Sequence, residues 1–377
     1  MEFCGTENDV ITVMEIFAGI EDDCEMSLLY HNIRFIIALK RPTTNPLDND
    51  TSIESTLLQN LDIAASDPDE LVFDRCLEDV RDLAISKCKN MMNELAPPIG
   101  QQDAGAEARL QSLEEMIHPE TFVLQLVTVK GELAPCLLGG RGKGCVLLHH
   151  HGLPTINEND GDGDDVEVVP ATEITVLENL LFQKVVKVSW KNEVCIFKSA
   201  SVEGKSQLIR EIHVLRTLEE VRRAGDGDGG ENNDNVRLHI PHFLGLVKSH
   251  KSNGIIGFLE EYIPSSQNLD NDIINTPSSS ENNNTPIPSL SEKKTKWLNQ
   301  ISESIFFLHK NNLVWGDAKA QNVLVDGKGE GDAWLVDFGG SWTQGWVDAE
   351  VAETVEGDLQ GLRRIREVLG LGGGMES

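Results

Sequence analysis

Basic residues are scarce: 32 lysines and arginines stand against 62 aspartates and glutamates in 377 residues, a formal net charge of −30. Phosphate backbones and anionic membrane surfaces attract cationic patches, so this balance argues against nucleic acid or membrane as the main partner. No apolar run comes near the roughly 20 residues that span a bilayer. The first residues, Met1-Glu2-Phe3, lack the basic stretch that opens a secretory signal. The seven cysteines (Cys4, Cys24, Cys76, Cys88, Cys136, Cys145 and Cys195) are odd in number and include no CxxC pair. That pattern makes neither a disulfide framework nor a zinc site, and it suits a reducing compartment. An intracellular protein, cytoplasmic or nuclear, is expected. Glycine is common overall, at 33 residues, yet none occurs between Gly163 and Gly204.

What is present suffices for a core, since 40% of the residues are hydrophobic. Residues 1–116 read as a mainly helical, acidic region. Ile33–Leu39 is apolar apart from Arg34, and Leu77, Val80 and Ala84 recur at helical spacing. Pro42–Asp50 and Gln59–Asp69 read as loops between them. Pro97-Pro98-Ile99-Gly100 opens a linker. Residues 117–169 read as a strand pair, Thr121–Leu138 with a turn at Lys130-Gly131, followed by a flexible acidic stretch. Two features of that stretch superficially suggest metal binding. The acidic loop Asn157–Asp165 fails the calcium pattern, with Asp165 where glycine is needed and Ala171 where glutamate is needed. His149-His150-His151 are consecutive and point in different directions, which suits an exposed run better than a ligand set.

From residue 170 the pattern changes. Strands are expected at Ile174–Leu177, Val185–Trp190, Val194–Lys198, Phe243–Val247 and Ile255–Tyr262. Between them, Ser206–Arg223 reads as a helix whose inward stripe, Leu208, Glu211, Leu215 and Leu218, includes one carboxylate. Gly225–Asn235 is an acidic surface loop. Residues 264–291, rich in Asn, Ser and Pro, form a disordered insertion. A second helix, about Glu292–Lys310, carries Trp297, Ile301, Ile305 and Leu308 on one face.

The strongest signal lies between Val314 and Gly340. Two short apolar runs, Val323–Val325 and Ala333–Val336, flank a Gly-rich turn and should pair as an antiparallel hairpin. Asn322 precedes the first and Asp337 follows the second, so pairing brings both to one end. Asp317 and Lys319 lie on the loop that enters that end. One amide, two carboxylates and one ammonium therefore converge, as suits phosphoryl transfer, which requires positioning and charge neutralisation more than covalent catalysis. Asn322 and Asp337 are hard oxygen donors of the kind magnesium takes.

The run Asp317-Ala318-Lys319-Ala320-Gln321-Asn322, followed by Asp337-Phe338-Gly339, resembles the catalytic and magnesium loops of the protein-kinase superfamily. Trp315-Gly316 stands where the family usually has His-Arg, and glycine before the aspartate is also a feature of aminoglycoside phosphotransferase-type kinases. The whole is similar to the protein-kinase-like proteins of filamentous fungi. The resemblance implies an α+β, two-lobed fold: a lobe over residues 170–263 and a short second lobe over residues 292–377, preceded by the helical region. It implies ATP and Mg2+ as cofactors and a protein or small-molecule hydroxyl as acceptor. Asp317 and Lys319 would be catalytic, and Asn322 and Asp337 would be metal ligands. Lys198 would lie on the phosphates, braced by Glu211, and Glu260 and Tyr262 would lie at the hinge that holds the adenine. Asp358 would anchor the catalytic loop. Two departures are visible: Glu178–Gln183 stands where the family has its Gly-rich loop, and Asp358 follows Asp337 by only 21 positions, with no A-P-E motif. They leave a second reading open, a pseudokinase scaffold that binds nucleotide or partner proteins without catalysis. A third places the activity in the acidic N-terminal region as an interaction surface.

Overall fold

The computed structural model describes residues 3–4, 10–41, 52–97, 111–139, 166–181, 184–199, 204–226, 238–264, 266–269, 289–327 and 331–371. The protein is α+β, with six α-helices and three sheets among these residues. It divides into two units, one of residues 1–109 and 118–150, the other of residues 110–117 and 151–377. The stretches His149–His151, Asn157–Asp165, Pro42–Asp50 and most of the 264–291 insertion lie outside the described residues. No described helix is long and apolar enough to cross a membrane.

In the first unit the expected helical region is instead built around a sheet. Six strands, β1 (Phe3–Cys4), β2 (Ile11–Phe17), β3 (Cys24–Tyr30), β4 (Ile33–Leu39), β5 (Thr121–Val129) and β6 (Glu132–Gly139), lie in sequence order. Every pair is antiparallel except β4 with β5, which run parallel and are joined through α1 (Ile53–Ala65) and α2 (Glu70–Leu95). The sequence misleads at β4 because its last five residues are all buried. A strand covered on both faces shows no period-2 alternation, and a seven-residue apolar run cannot be told from a helix by pattern alone. Gln59–Asp69 is also not a loop throughout. Ser52 caps α1 by accepting from Ser55 N, and Leu58, Leu61 and Ala64 then form its buried stripe, while the polar Gln59 and Asn60 face solvent. The strand pair expected as a separate segment closes the same sheet.

The second unit has a six-stranded sheet in the order β7-β11-β12-β10-β9-β8. Its strands are β7 (Val168–Pro170), β8 (Thr175–Leu181), β9 (Val185–Trp190), β10 (Glu193–Lys198), β11 (Phe243–Ser249) and β12 (Gly254–Glu261). Only β7 with β11 is parallel. A one-turn helix, α3 (Leu113–Ile117), is tied to this sheet through Glu114, whose buried carboxylate accepts from Ser249 Oγ and from the amides of His250 and Lys251. Helix α4 (Lys205–Asp226) follows β10. Helix α5 (Leu290–Lys310) starts at a capping box between Ser289 and Glu292 and buries Trp297, Ile301, Ile305 and Leu308. Each such side chain contributes about 1.5–3 kcal/mol when removed from water, which outweighs the modest helix propensity of the segment. The chain then forms the expected hairpin, β14 (Val323–Val325) against β15 (Ala333–Leu335), with β13 (Gln267–Asn268) added to its edge. Helix α6 (Val355–Val368) is the last described helix. One apolar cluster joins α4, α5, the hairpin and α6; another lies between the six-stranded sheet and α3.

Candidate active site

An open cleft of about 740 Å³ lies in the second unit, lined by residues of β8 to β10, α4, β12, the hairpin and its flanking loops. All eight residues singled out from the sequence reach it: Lys198, Glu211, Glu260, Tyr262, Asp317, Lys319, Asn322 and Asp337.

Lys198 ends β10. Its Nζ lies 2.7 Å from Glu211 Oε1, on α4, and 3.0 Å from Glu260 Oε1, on β12. The strand register accounts for the second contact. Ile196 pairs with Glu260 and Lys198 with Phe258, so Lys198 and Glu260 share one face of the sheet, two residues out of step. Burial would lower the pKa of Lys198, but the carboxylates of Glu211, Glu260 and Asp337 outweigh it and raise it above the ordinary value. Glu260 is pushed up to about 7, first by burial and further by Glu211 and Asp337, against the pull of Lys198. Its side chain is thus committed to the lysine. Tyr262 lies one residue beyond β12 with Lys187 Nζ 4.5 Å from its ring centre.

The hairpin does what its spacing requires. Val323 pairs with Leu335, and Val336 N donates to Asn322 O at 3.0 Å, so Asn322 and Asp337 flank the same end. Asp337 has φ +63°, a left-handed conformation costing on the order of 1 kcal/mol or more for a residue with a Cβ. The next residue is held in place: Phe338 is buried and its N donates to Glu211 Oε1. Glu211 thereby touches both Lys198 and the backbone beside Asp337.

Around Asp317 a closed polar ring forms. Lys319 Nζ donates to Asp317 Oδ2 and, at 3.0 Å, to Thr343 Oγ1. The Thr343 hydroxyl donates in turn to Asp317 Oδ1 at 3.2 Å. Asn322 Nδ2 donates both to Asp317 O and to Asp317 Oδ2, at 3.0 and 3.1 Å. Asp317 and Asn322 are buried, and a low-dielectric setting strengthens such charge-assisted bonds. Thr343 escaped the sequence reading: it lies 26 residues from Asp317 in a segment with no periodic pattern. The loop itself hangs from Asp358, which is 1% exposed in the first turn of α6. Asp358 accepts from the amides of Trp315 and Gly316, both at 2.8 Å, and lies 2.9 Å from His309 Nε2. Trp315, fully buried, donates from Nε1 to Val336 O at 3.0 Å and so ties the loop to the hairpin. A histidine could supply that donor but not the same apolar volume.

The donor set fits a magnesium ion in company with phosphates. Asn322 spends its amide N–H groups on Asp317, which leaves Oδ1 for a cation, and the Asp337 carboxylate adds a second hard oxygen. The carboxylates of Glu211 and Asp337 beside one ammonium also leave an excess of negative charge that a divalent cation would balance. Among the described residues no group of three or more His, Cys, Asp or Glu side chains is arranged to hold a metal. No protein-family model matches the chain, and a search of curated proteins finds no significant match.

Proposed function

We propose that this chain is an ATP- and Mg2+-dependent phosphotransferase of the protein-kinase-like superfamily, with a two-lobed kinase-type catalytic region in its second unit. One observation carries the reading: a buried Lys198–Glu211 pair faces the same cleft as Asp317, Lys319, Asn322 and Asp337. These are groups from four separate stretches of chain, with no common structural need to meet. In this reading Asp317 orients the acceptor hydroxyl and takes its proton as the new oxygen–phosphorus bond forms and the bond from the γ-phosphorus to the β–γ bridging oxygen breaks. Lys319 offsets charge on the transferring group, and Thr343 holds both in register. Lys198 binds the nucleotide phosphates. Asn322 Oδ1 and Asp337 would hold magnesium, which would supply charge neutralisation on the phosphates. The acceptor is a hydroxyl, on protein serine or threonine or on a small molecule.

A second reading, a nucleotide-binding scaffold without catalysis, has one observation in its favour. Lys184 N donates to the carbonyl of Leu181, the last residue of β8, at 2.7 Å. Leu180 and Leu181, about half exposed, line the cleft there. Side chains of this bulk hinder the close approach of phosphate to backbone amides that a glycine-rich loop permits. The two readings part on Asp317→Ala. Release of ADP from Mg–ATP should fall by about 10²-fold or more while nucleotide affinity is kept; equal turnover in both proteins would sink the catalytic assignment.

A further inference from the structure

Arg210, the residue before Glu211 on α4, reaches into the backbone that carries the catalytic groups. Its Nη2 donates to Val314 O at 2.8 Å, and its Nη1 donates to Trp315 O at 3.1 Å and to Phe338 O. Two of these carbonyls lie just upstream of Asp317, and the third belongs to the residue after Asp337. One planar cation therefore gathers both loops, using the fixed fork geometry that distinguishes guanidinium from ammonium. The chain is cleared to admit it. Gly316 has φ +91°, and a Cβ there would lie 2.5 Å from Arg210 Nη2 and 3.0 Å from Nη1. At Gly340, φ +75°, a Cβ would meet Arg210 Cδ at 3.1 Å. The glycine before Asp317 is thus explained by the arginine that occupies its side-chain space.

The consequence extends to α4. Phe338 N donates to Glu211 and Phe338 O accepts from Arg210, so two adjacent helix residues hold one residue at both its backbone groups. Glu211 also carries Lys198. Moving α4 would loosen the nucleotide lysine, the Asp337 loop and the Asp317 loop together.

We infer that Arg210 is a positioning residue that sets Asp317 and Asp337 relative to one another and couples both to α4, an inference that rests on the phosphotransferase reading for its catalytic meaning. The test uses the full chain as wild type, Arg210→Met, Arg210→Lys and Gly316→Ala. Amide hydrogen exchange is measured without ligand, and calorimetry compares ATP alone with ATP plus Mg2+. In Arg210→Met, exchange should accelerate at least about tenfold in residues 314–318 and 337–340 and not in β9 or β10. Magnesium should lose most of its effect on ATP affinity while ATP alone binds as before. Arg210→Lys keeps the charge without the fork and should restore little. Gly316→Ala keeps the arginine but crowds it and should reproduce the loop-specific exchange even if Arg210→Met does not fold. Unchanged exchange in both loops, or an equal rise throughout the chain, overturns the inference. So does an intact magnesium effect in Arg210→Met. If wild type itself shows no magnesium effect, the phosphotransferase reading fails, and exchange alone decides whether Arg210 holds the loops.

Discussion

Glu260 shows how one side chain can alter the chemistry of a site. The resemblance to the kinase family puts it at a hinge, where backbone groups would hold the adenine. Strand register turns its carboxylate onto Lys198, and burial, with Glu211 and Asp337 nearby, raises its pKa to about 7. A carboxyl with a raised folded-state pKa binds its proton more tightly when folded than when unfolded. Its stabilising contribution is complete below the ordinary value near 4.5 and is lost as pH rises through about 7. Wild-type melting temperature should therefore decline between pH 5 and pH 8, and Glu260→Gln, which cannot ionise, should show a visibly shallower decline. Parallel profiles in thermal melts of the two proteins would show that Glu260 does not titrate in this window. Lys198 keeps its partner Glu211 in that variant, so loss of the fold is not the expected result. Side-chain direction of this kind is not legible from residue types, because it depends on which residue of β10 lies opposite which residue of β12. Thr343 was hidden for a similar reason: its partners lie in another loop.

Among the elements, α6 packs closely against the loop that carries Asp317. Gly361 faces Ala318, and a Cβ at that position would lie 2.3 Å from Ala318 O and 2.5 Å from Ala318 Cβ. The helix must approach this closely for Asp358, one turn earlier, to receive the amides of Trp315 and Gly316. Gly361→Ala should force the helix outward, destabilising the second unit by about 1–3 kcal/mol and weakening the anchor of the Asp317 loop. Denaturant titration checks the first effect and turnover the second; a neutral change in both would mean that α6 is not packed against the loop. The hairpin and helix α5 were legible because their signals are local: two apolar runs around a glycine-rich turn, and a 3.6-residue apolar stripe. The sheet of the first unit was not. Its parallel pair β4–β5 joins residues some 87 positions apart, Arg34 with Thr121 for example, and a strand buried on both faces has lost the alternation that would announce it.

At the scale of the whole molecule, the chain interleaves its two units: residues 110–117 belong with the second unit but sit between segments of the first. A boundary drawn at residue 116 therefore cuts α3 near its end and separates β5 from β4. Net charge of −30 adds a constraint on the cleft. An acidic protein that binds a polyanionic nucleotide needs concentrated positive charge at the site, and Lys198 and Lys319 supply it only in part, each already paired with carboxylates. In the proposed function, nucleotide binding therefore depends on a divalent cation held at Asp337. Calorimetric titration of ATP into the full chain, with and without Mg2+ and with Asp337→Ala alongside, tests this most directly. Binding that magnesium tightens in wild type and not in Asp337→Ala is the predicted result; no ATP binding under either condition, or an equal magnesium effect in both proteins, would contradict it.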